Sequence, residues 1–238
     1  MKNSFESITN SWLFRAGKAI GDVVIISVLF LLFCLPFVTI GASASALYYT
    51  VYRKYRKNAD DITKDFIKAL KCNLKNGIIV HLIYSAYTAL VSFNIYFSFF
   101  GFKGVALPEW YKVIAFITLL PLFLSVPFLY PLIARFSNSV KETVKNSFTL
   151  CMINFPKIIL IWLIIIAAVA ISIAFPPAAL LTPVGATYLI QMFTEKAFGN
   201  AIRTADEREG TNEANAEAAT EDKVEVESES EGEGEPHE

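Results

Sequence analysis

The sequence predicts an all-α, polytopic integral membrane protein, and three observations carry that prediction. Apolar runs of membrane-crossing length recur along the chain, beginning with residues 19–40, which hold one charge, Asp22. About 20 apolar residues are what a helix needs to cross a hydrocarbon core of about 30 Å. The segments between runs are basic and apolar on opposite sides at helical spacing. Charge is also segregated: residues 1–204 hold 19 Lys and Arg against 8 Asp and Glu, whereas residues 205–238 hold 2 against 14. The overall net charge of −1 therefore conceals a basic body with an acidic tail. At 54% hydrophobic and 18% charged, the chain is more apolar than soluble domains, which are about 45–50% apolar and about 25% charged.

Each element follows in order. Residues 1–18 place Phe5, Ile8 and Trp12 at helical spacing among Lys2, Arg15 and Lys18, the pattern of an interfacial segment with its tryptophan at headgroup depth. The first crossing is 19–40. Ala42-Ser43-Ala44 after it resembles a cleavage site, but the apolar run exceeds the about 7–15 residues of a signal peptide. Arg53, Lys54, Arg56 and Lys57 would also resist export, so the run is expected to stay uncleaved. Gly41 with Ser45, and Ala42 with Ala46, form a small-xxx-small pattern suited to close helix packing within one bundle.

Residues 61–76 read as a cytoplasmic connector helix. Ile62, Phe66, Leu70 and Leu74 form its apolar stripe, and Lys64, Lys68, Lys71 and Lys75 gather on the other side. Such lysines suit the anionic inner leaflet, where each is worth about 1 kcal/mol. The second crossing is 78–100, with His81 near its start, Asn94 within it, and Phe93, Tyr96, Phe97 and Phe100 along one side. The third, 113–134, contains Pro121, Pro127 and Pro131; a bundle tolerates these if neighbours satisfy the freed carbonyls. Ser139 with Glu142 is a capping box opening a second amphipathic helix, with stripe Val140, Val144, Phe148 and Met152. Crossings four and five are expected at 158–175 and 178–198, giving a membrane domain over 19–204. The tail, 205–238, is rich in Glu, Gly and Ser without periodicity and reads as disordered. Pro36-Phe37 and Pro127-Phe128 stand at corresponding places in two similar successions of elements, which reads as a parallel repeat.

Orientation follows from Lys and Arg in short loops. With 41–76, 135–157 and the start of the tail on one side, 15 basic residues oppose 5. That distribution places the N-terminus outside and the tail in the cytoplasm.

The chemistry the sequence offers is sparse. Cys34, Cys72 and Cys151 are scattered and odd in number, and the two histidines are His81 and His237. Neither a disulfide framework nor a metal site is expected. There is no H-E-x-x-H or G-x-S-x-G, so no catalytic residue and no cofactor is assigned, and nucleic acid is not an expected partner. Asp22 is the one acid inside an apolar run and a transport candidate by that position, though close enough to the run's start to be hydrated.

Pro36-Phe37-Val38-Thr39-Ile40-Gly41, then Ala46-Leu47-Tyr48-Tyr49, then the stretch from Asp65 to Lys75 resemble the YesL-like family of bacterial membrane proteins. The resemblance is specific over residues 19–80 and hydropathic beyond about residue 110. Its candidate motif residues here are Pro36, Thr39, Gly41, Phe66 and Asn73. That family is uncharacterised. The resemblance implies residence in a bacterial cell membrane and association with carbohydrate-utilisation loci and sugar uptake systems. The expected function is therefore a non-catalytic accessory or regulatory component, with a carbohydrate transporter complex as partner. The alternative is a small transporter or channel in its own right.

Overall fold

A computed structural model of the chain describes residues 12–57, 61–101 and 108–204, with side chains from residue 17 within the first stretch. Phe5, Ile8 and the acidic tail lie outside the described residues. The chain divides into two compact units, residues 1–194 and 195–238.

The described residues are helical almost throughout, with no strand among them. Helix α1 (Trp12–Cys34) leads through a 3-10 turn (Phe37–Thr39) into α2 (Ile40–Lys57), and α3 (Ile62–Phe100) follows. Then come α4 (Glu109–Ile117), α5 (Leu120–Arg135), α6 (Val140–Ile153) and α7 (Phe155–Ala174). A second 3-10 turn (Pro176–Leu180) precedes the last helix, α8, over 182–204. Four stretches are long and apolar enough to cross a membrane: Gly17–Cys34, Ile62–Phe100, Glu109–Arg135 and Phe155–Ala174. The protein is thus all-α and polytopic by composition, with four such stretches among the described residues where five are expected.

The fifth expected crossing, 178–198, is not among those four. Its start is taken by the 3-10 turn, and α8 carries Gln191, Glu195 and Lys196. Gln191 and Thr194 are buried because α2 provides partners. The Gln191 amide donates to the Tyr48 carbonyl at 2.7 Å, and the Tyr48 and Thr194 hydroxyls meet at 2.5 Å.

The first crossing ends at Cys34 instead of residue 40. Proline disfavours helix at the residue before it, and Pro36 holds an extended conformation that turns the chain. Beyond the turn α2 folds back along α1, so that Lys54 pairs with Asp22 at 2.5 Å. Arg53 reaches Asp65 of α3 at 3.3 Å. The basic cluster 53–57 therefore returns to the N-terminal half of α1, the end that also carries Lys18. The orientation count above places these two groups on opposite sides; the ion pair puts them at one end.

The connector 61–76 and the crossing 78–100 are one continuous helix. At 1.5 Å per residue α3 is about 58 Å long, nearly twice a hydrocarbon core of about 30 Å. Its lysine-bearing turns and its apolar turns share an axis. The helix continues because nothing between Asn76 and Ile78 breaks it; Gly77 is tolerated, and it faces α2.

Prolines in α5 behave as a packed bundle allows. The chain breaks at Thr118–Leu119, just before Pro121, while Pro127 and Pro131 sit inside α5. Pro127 cannot donate to the Phe123 carbonyl one turn back, and the Trp162 indole donates to it instead at 2.8 Å. The Trp162 and Phe123 rings stack, 5.2 Å between centroids. Since Pro36 ends a helix and Pro127 sits within one, the two Pro-Phe sites have different structural roles, and the expected repeat does not extend to the elements.

Helix α6 begins with the expected capping box: Glu142 N–H donates to the Ser139 hydroxyl at 3.3 Å, and Ser139 N–H donates to the Glu142 carboxylate at 2.9 Å. Its expected apolar stripe is turned outward in part, for Phe148 and Met152 are exposed while Thr143, Ser147, Leu150 and Cys151 are buried. Small hydroxyls can be buried because their own helix satisfies them, Thr143 on the Ser139 carbonyl and Ser147 on that of Val144. Small residues inside and large apolar ones outside are what lipid as the solvent favours.

Candidate functional site

The family-motif candidates build a corner. Thr39 donates from its hydroxyl to the carbonyls of Phe33 (2.6 Å) and Pro36 (2.9 Å), and the first of these is a group that the end of α1 leaves without a helical partner. Phe37 lays its ring against His81, 5.1 Å between centroids, and His81 Nδ1 lies 3.1 Å from the Tyr130 hydroxyl. One residue into α2, Gly41 meets Gly77. A Cβ on Gly41 would fall on the Gly77 carbonyl oxygen and 2.6 Å from His81 Cβ; one on Gly77 would lie 2.7 Å from Ala42 Cα. Pro36, Thr39 and Gly41 are thus structural, and the small-residue pattern of α2 packs within the chain. Phe66 is fully buried in the core cluster that joins α1, α2 and α3, with its ring 6.1 Å from that of Phe33.

Asn73 stands apart from the corner. It lines a cavity of about 210 Å³ with Lys68 and Cys72 of α3, Tyr49 of α2, and Arg135 and Ser137 at the end of α5. Arg135 is held by stacking, its guanidinium carbon 4.0 Å from the centre of the Tyr52 ring. Of the four candidate surface lysines, all are exposed, and Lys64 pairs with Asp61 within the first turn at 3.0 Å. Burial of Ile62, Phe66 and Leu70 continues the expected stripe, while Leu74 is exposed.

Asp22 is paired with Lys54. The Asn94 amide nitrogen donates to the Tyr111 hydroxyl at 3.0 Å, while its Oδ1 is buried without a hydrogen-bond partner among the described residues. Phe93, Tyr96 and Phe100 are exposed and pack edge-on or tilted against their neighbours along α3. A larger apolar groove of about 530 Å³ lies between α1, α2, α5, α7 and α8, lined by Phe30, Tyr48, Pro127, Trp162, Ile173 and Pro183 among others. Among the described residues no three His, Cys, Asp or Glu side chains come close enough to hold a metal ion. The three cysteines are free; Cys151 is buried and its thiol donates to the Leu124 carbonyl.

Several of these residues escape sequence reasoning. Gly77 lies between two segments that read as separate elements, and Arg135 reads only as a loop charge. Tyr48, Gln191 and Tyr130 carry no spacing signal because their partners are distant in sequence. Gln191 left a trace, as an amide within the run 178–198.

Residues 23–95 are similar to a family described as "Protein of unknown function, DUF624". This is the stretch holding the corner, the α2–α3 contact, the lysines and Asn73. Neither the curated proteins nor the solved structures provide a match to the chain.

Proposed function

We propose that this protein is a non-catalytic accessory component of a bacterial cell membrane, presenting the lysine-bearing turns of α3 to anionic lipid and to a partner complex. The observation that carries the reading is that Lys64, Lys68, Lys71 and Lys75 are all exposed on the end of α3 away from its apolar half. Packing of α3 buries Ile62, Phe66 and Leu70 instead. The lysines are thus free of a structural duty in the core and available at a surface. Because they share the axis of the crossing, they stand at different heights. Lys75 adjoins the apolar stretch, and Lys64 lies about 16 Å farther along at 1.5 Å per residue. Attraction to headgroups fades over about 8–10 Å, so Lys71 and Lys75 serve the leaflet and Lys64 and Lys68 face outward toward protein.

The YesL-like resemblance supplies the kind of partner, a carbohydrate uptake complex. Against the alternative of a transporter in its own right stands the pairing of Asp22 with Lys54, which ties the one acid of the first crossing to α2. Affinity isolation of the tagged full chain from mildly solubilised native membranes should recover a sugar-transporter subunit. The variant with Lys64, Lys68, Lys71 and Lys75 all changed to Gln should lose it. Recovery of the protein alone from wild-type membranes would overturn the reading.

A further inference from the structure

We infer that the apolar groove between α1, α2, α5, α7 and α8 holds one acyl chain of a membrane lipid. Its floor is made by Leu47 and Tyr48 of α2 with Pro127 and Pro131 of α5, all buried, and its walls by α7 and α8. Space is left because facing positions are small: Ala44, Ala168 and Ala186 line the groove from three different helices, where longer side chains would close it. Val169 and Ile173 also line it and are nonetheless exposed, at 53% and 76%, so the groove opens sideways along α7. Its lining residues on α5 and α7 lie within Glu109–Arg135 and Phe155–Ala174, both long and apolar enough to cross a membrane. The mouth is therefore continuous with the surface that lipid covers, and hydrocarbon is the solvent at its edge.

The chemistry of the lining selects hydrocarbon. No charged residue lines the groove, and its polar side chains are engaged with the protein. The Tyr130 hydroxyl lies 3.1 Å from His81 Nδ1, the Tyr48 hydroxyl meets Thr194, and the Trp162 indole donates to the Phe123 carbonyl. Ser172 and Thr182 meet each other at 2.6 Å, and Thr187 donates to the Pro183 carbonyl at 2.7 Å. A sugar or a charged headgroup placed there would give up its water without gaining new partners, which is costly. A hydrocarbon chain has no such loss. Water does not fill the space instead, since apolar cavities stay dry, and space left empty forfeits the close contacts of its lining. Packing is what favours entry of the chain, because lipid tails are as apolar as the groove itself. At about 530 Å³ the groove lies within the about 300–1,000 Å³ of ligand pockets, with room for one chain of a two-chain lipid. The site is independent of the accessory reading, since no lysine of α3 lines it.

The test is fluorescence quenching of Trp162, which lines the groove. The full chain, carrying Trp12→Phe and Trp110→Phe so that Trp162 alone reports, is reconstituted in phosphatidylcholine bilayers with brominated acyl chains; bromine quenches at contact. Trp162 should lose at least half of its emission relative to unbrominated bilayers. Ala168→Phe and Ala186→Phe, which fill the groove from different helices, should each restore at least half of that loss. Ala167→Phe, exposed on α7 outside the groove, should leave quenching unchanged. Melting temperatures near that of the parent verify folding, and either filling variant suffices if the other does not fold. An unquenched Trp162 in the parent overturns the inference. Cross-linking of Val169→Cys between two copies, in a background without the native cysteines, would then assign the groove to a second copy of the chain. Equal quenching in the filling variants and in Ala167→Phe also overturns it, since the contact would come from lipid outside the groove.

Discussion

Gly77 shows how much can rest on a missing methyl group. Its hydrogen lets the backbone of α3 approach Ala42 of α2, and Gly41 permits the same from the other side. Overpacking a close contact costs about 1–3 kcal/mol, and here the obstructing atoms are backbone that cannot swing aside. Gly77→Ala should therefore lower the melting temperature of the detergent-solubilised protein clearly. Gly185→Ala, where a Cβ meets nothing within 4 Å, should leave it unchanged or slightly raised. Equal behaviour of the two variants would refute the close-contact account. The sequence displayed Gly41 at a recognisable spacing; Gly77 looked like a boundary glycine because its partner is known only once α2 folds against α3.

Between elements, charge does what apolar contact does elsewhere. The Asp22–Lys54 pair fastens α1 to α2, and Arg53–Asp65 fastens α2 to α3. Removing one member of a mostly buried pair strands the other charge, at a cost of about 3–5 kcal/mol where burial is complete. Asp22→Asn should lose about 2 kcal/mol, since some exposure remains. The combination with Lys54→Met should recover much of that loss. If the double variant melts no higher than the single one, the pair is not what the acid is for. At the start of α6 the Ser139 backbone N–H, and secondly its hydroxyl, hold the Glu142 carboxyl below its ordinary pKa of 4.5. A depressed carboxylate contributes stability above the unfolded pKa and loses it as pH falls through the folded one. Amide protection in the first turn of α6 should accordingly drop on acidification below that range. In Glu142→Gln it should not vary with pH over the same window. The capping box was legible because it is local. The Asp22 pair was not, because a helix that folds back cannot be seen in hydropathy.

For the molecule as a whole, the distribution of charge belongs to its placement in the cell. Lys196 and Arg203 stand in the last turns of α8, just before the acidic tail, and basic residues that flank membrane segments are held on the cytoplasmic side. A cysteine introduced by Ser230→Cys, in a background without the three native cysteines, should resist an impermeant maleimide in intact cells and react after permeabilisation. Labelling of intact cells would place the tail outside. In the same background Lys18→Cys and Lys57→Cys should label from the same side, because the pairing of Asp22 with Lys54 brings the start of α1 and the end of α2 together.

The sequence by itself determined the all-α membrane class, the positions of the long apolar helices, the capping box and the lysines of α3. All of these depend on composition or on residues within about two turns of one another, which the order of residues displays directly. Tertiary structure decided that the first crossing is followed by a returning helix. It also buried Gln191 and Thr194 against Tyr48. It set which stripe of α6 faces outward, and it brought Lys68, Asn73 and Arg135 around one cavity. Each of those outcomes depends on contacts between segments distant in the chain. Hydropathy averages along the chain and is blind to them, whereas a buried hydrogen bond or ion pair needs its partner in place.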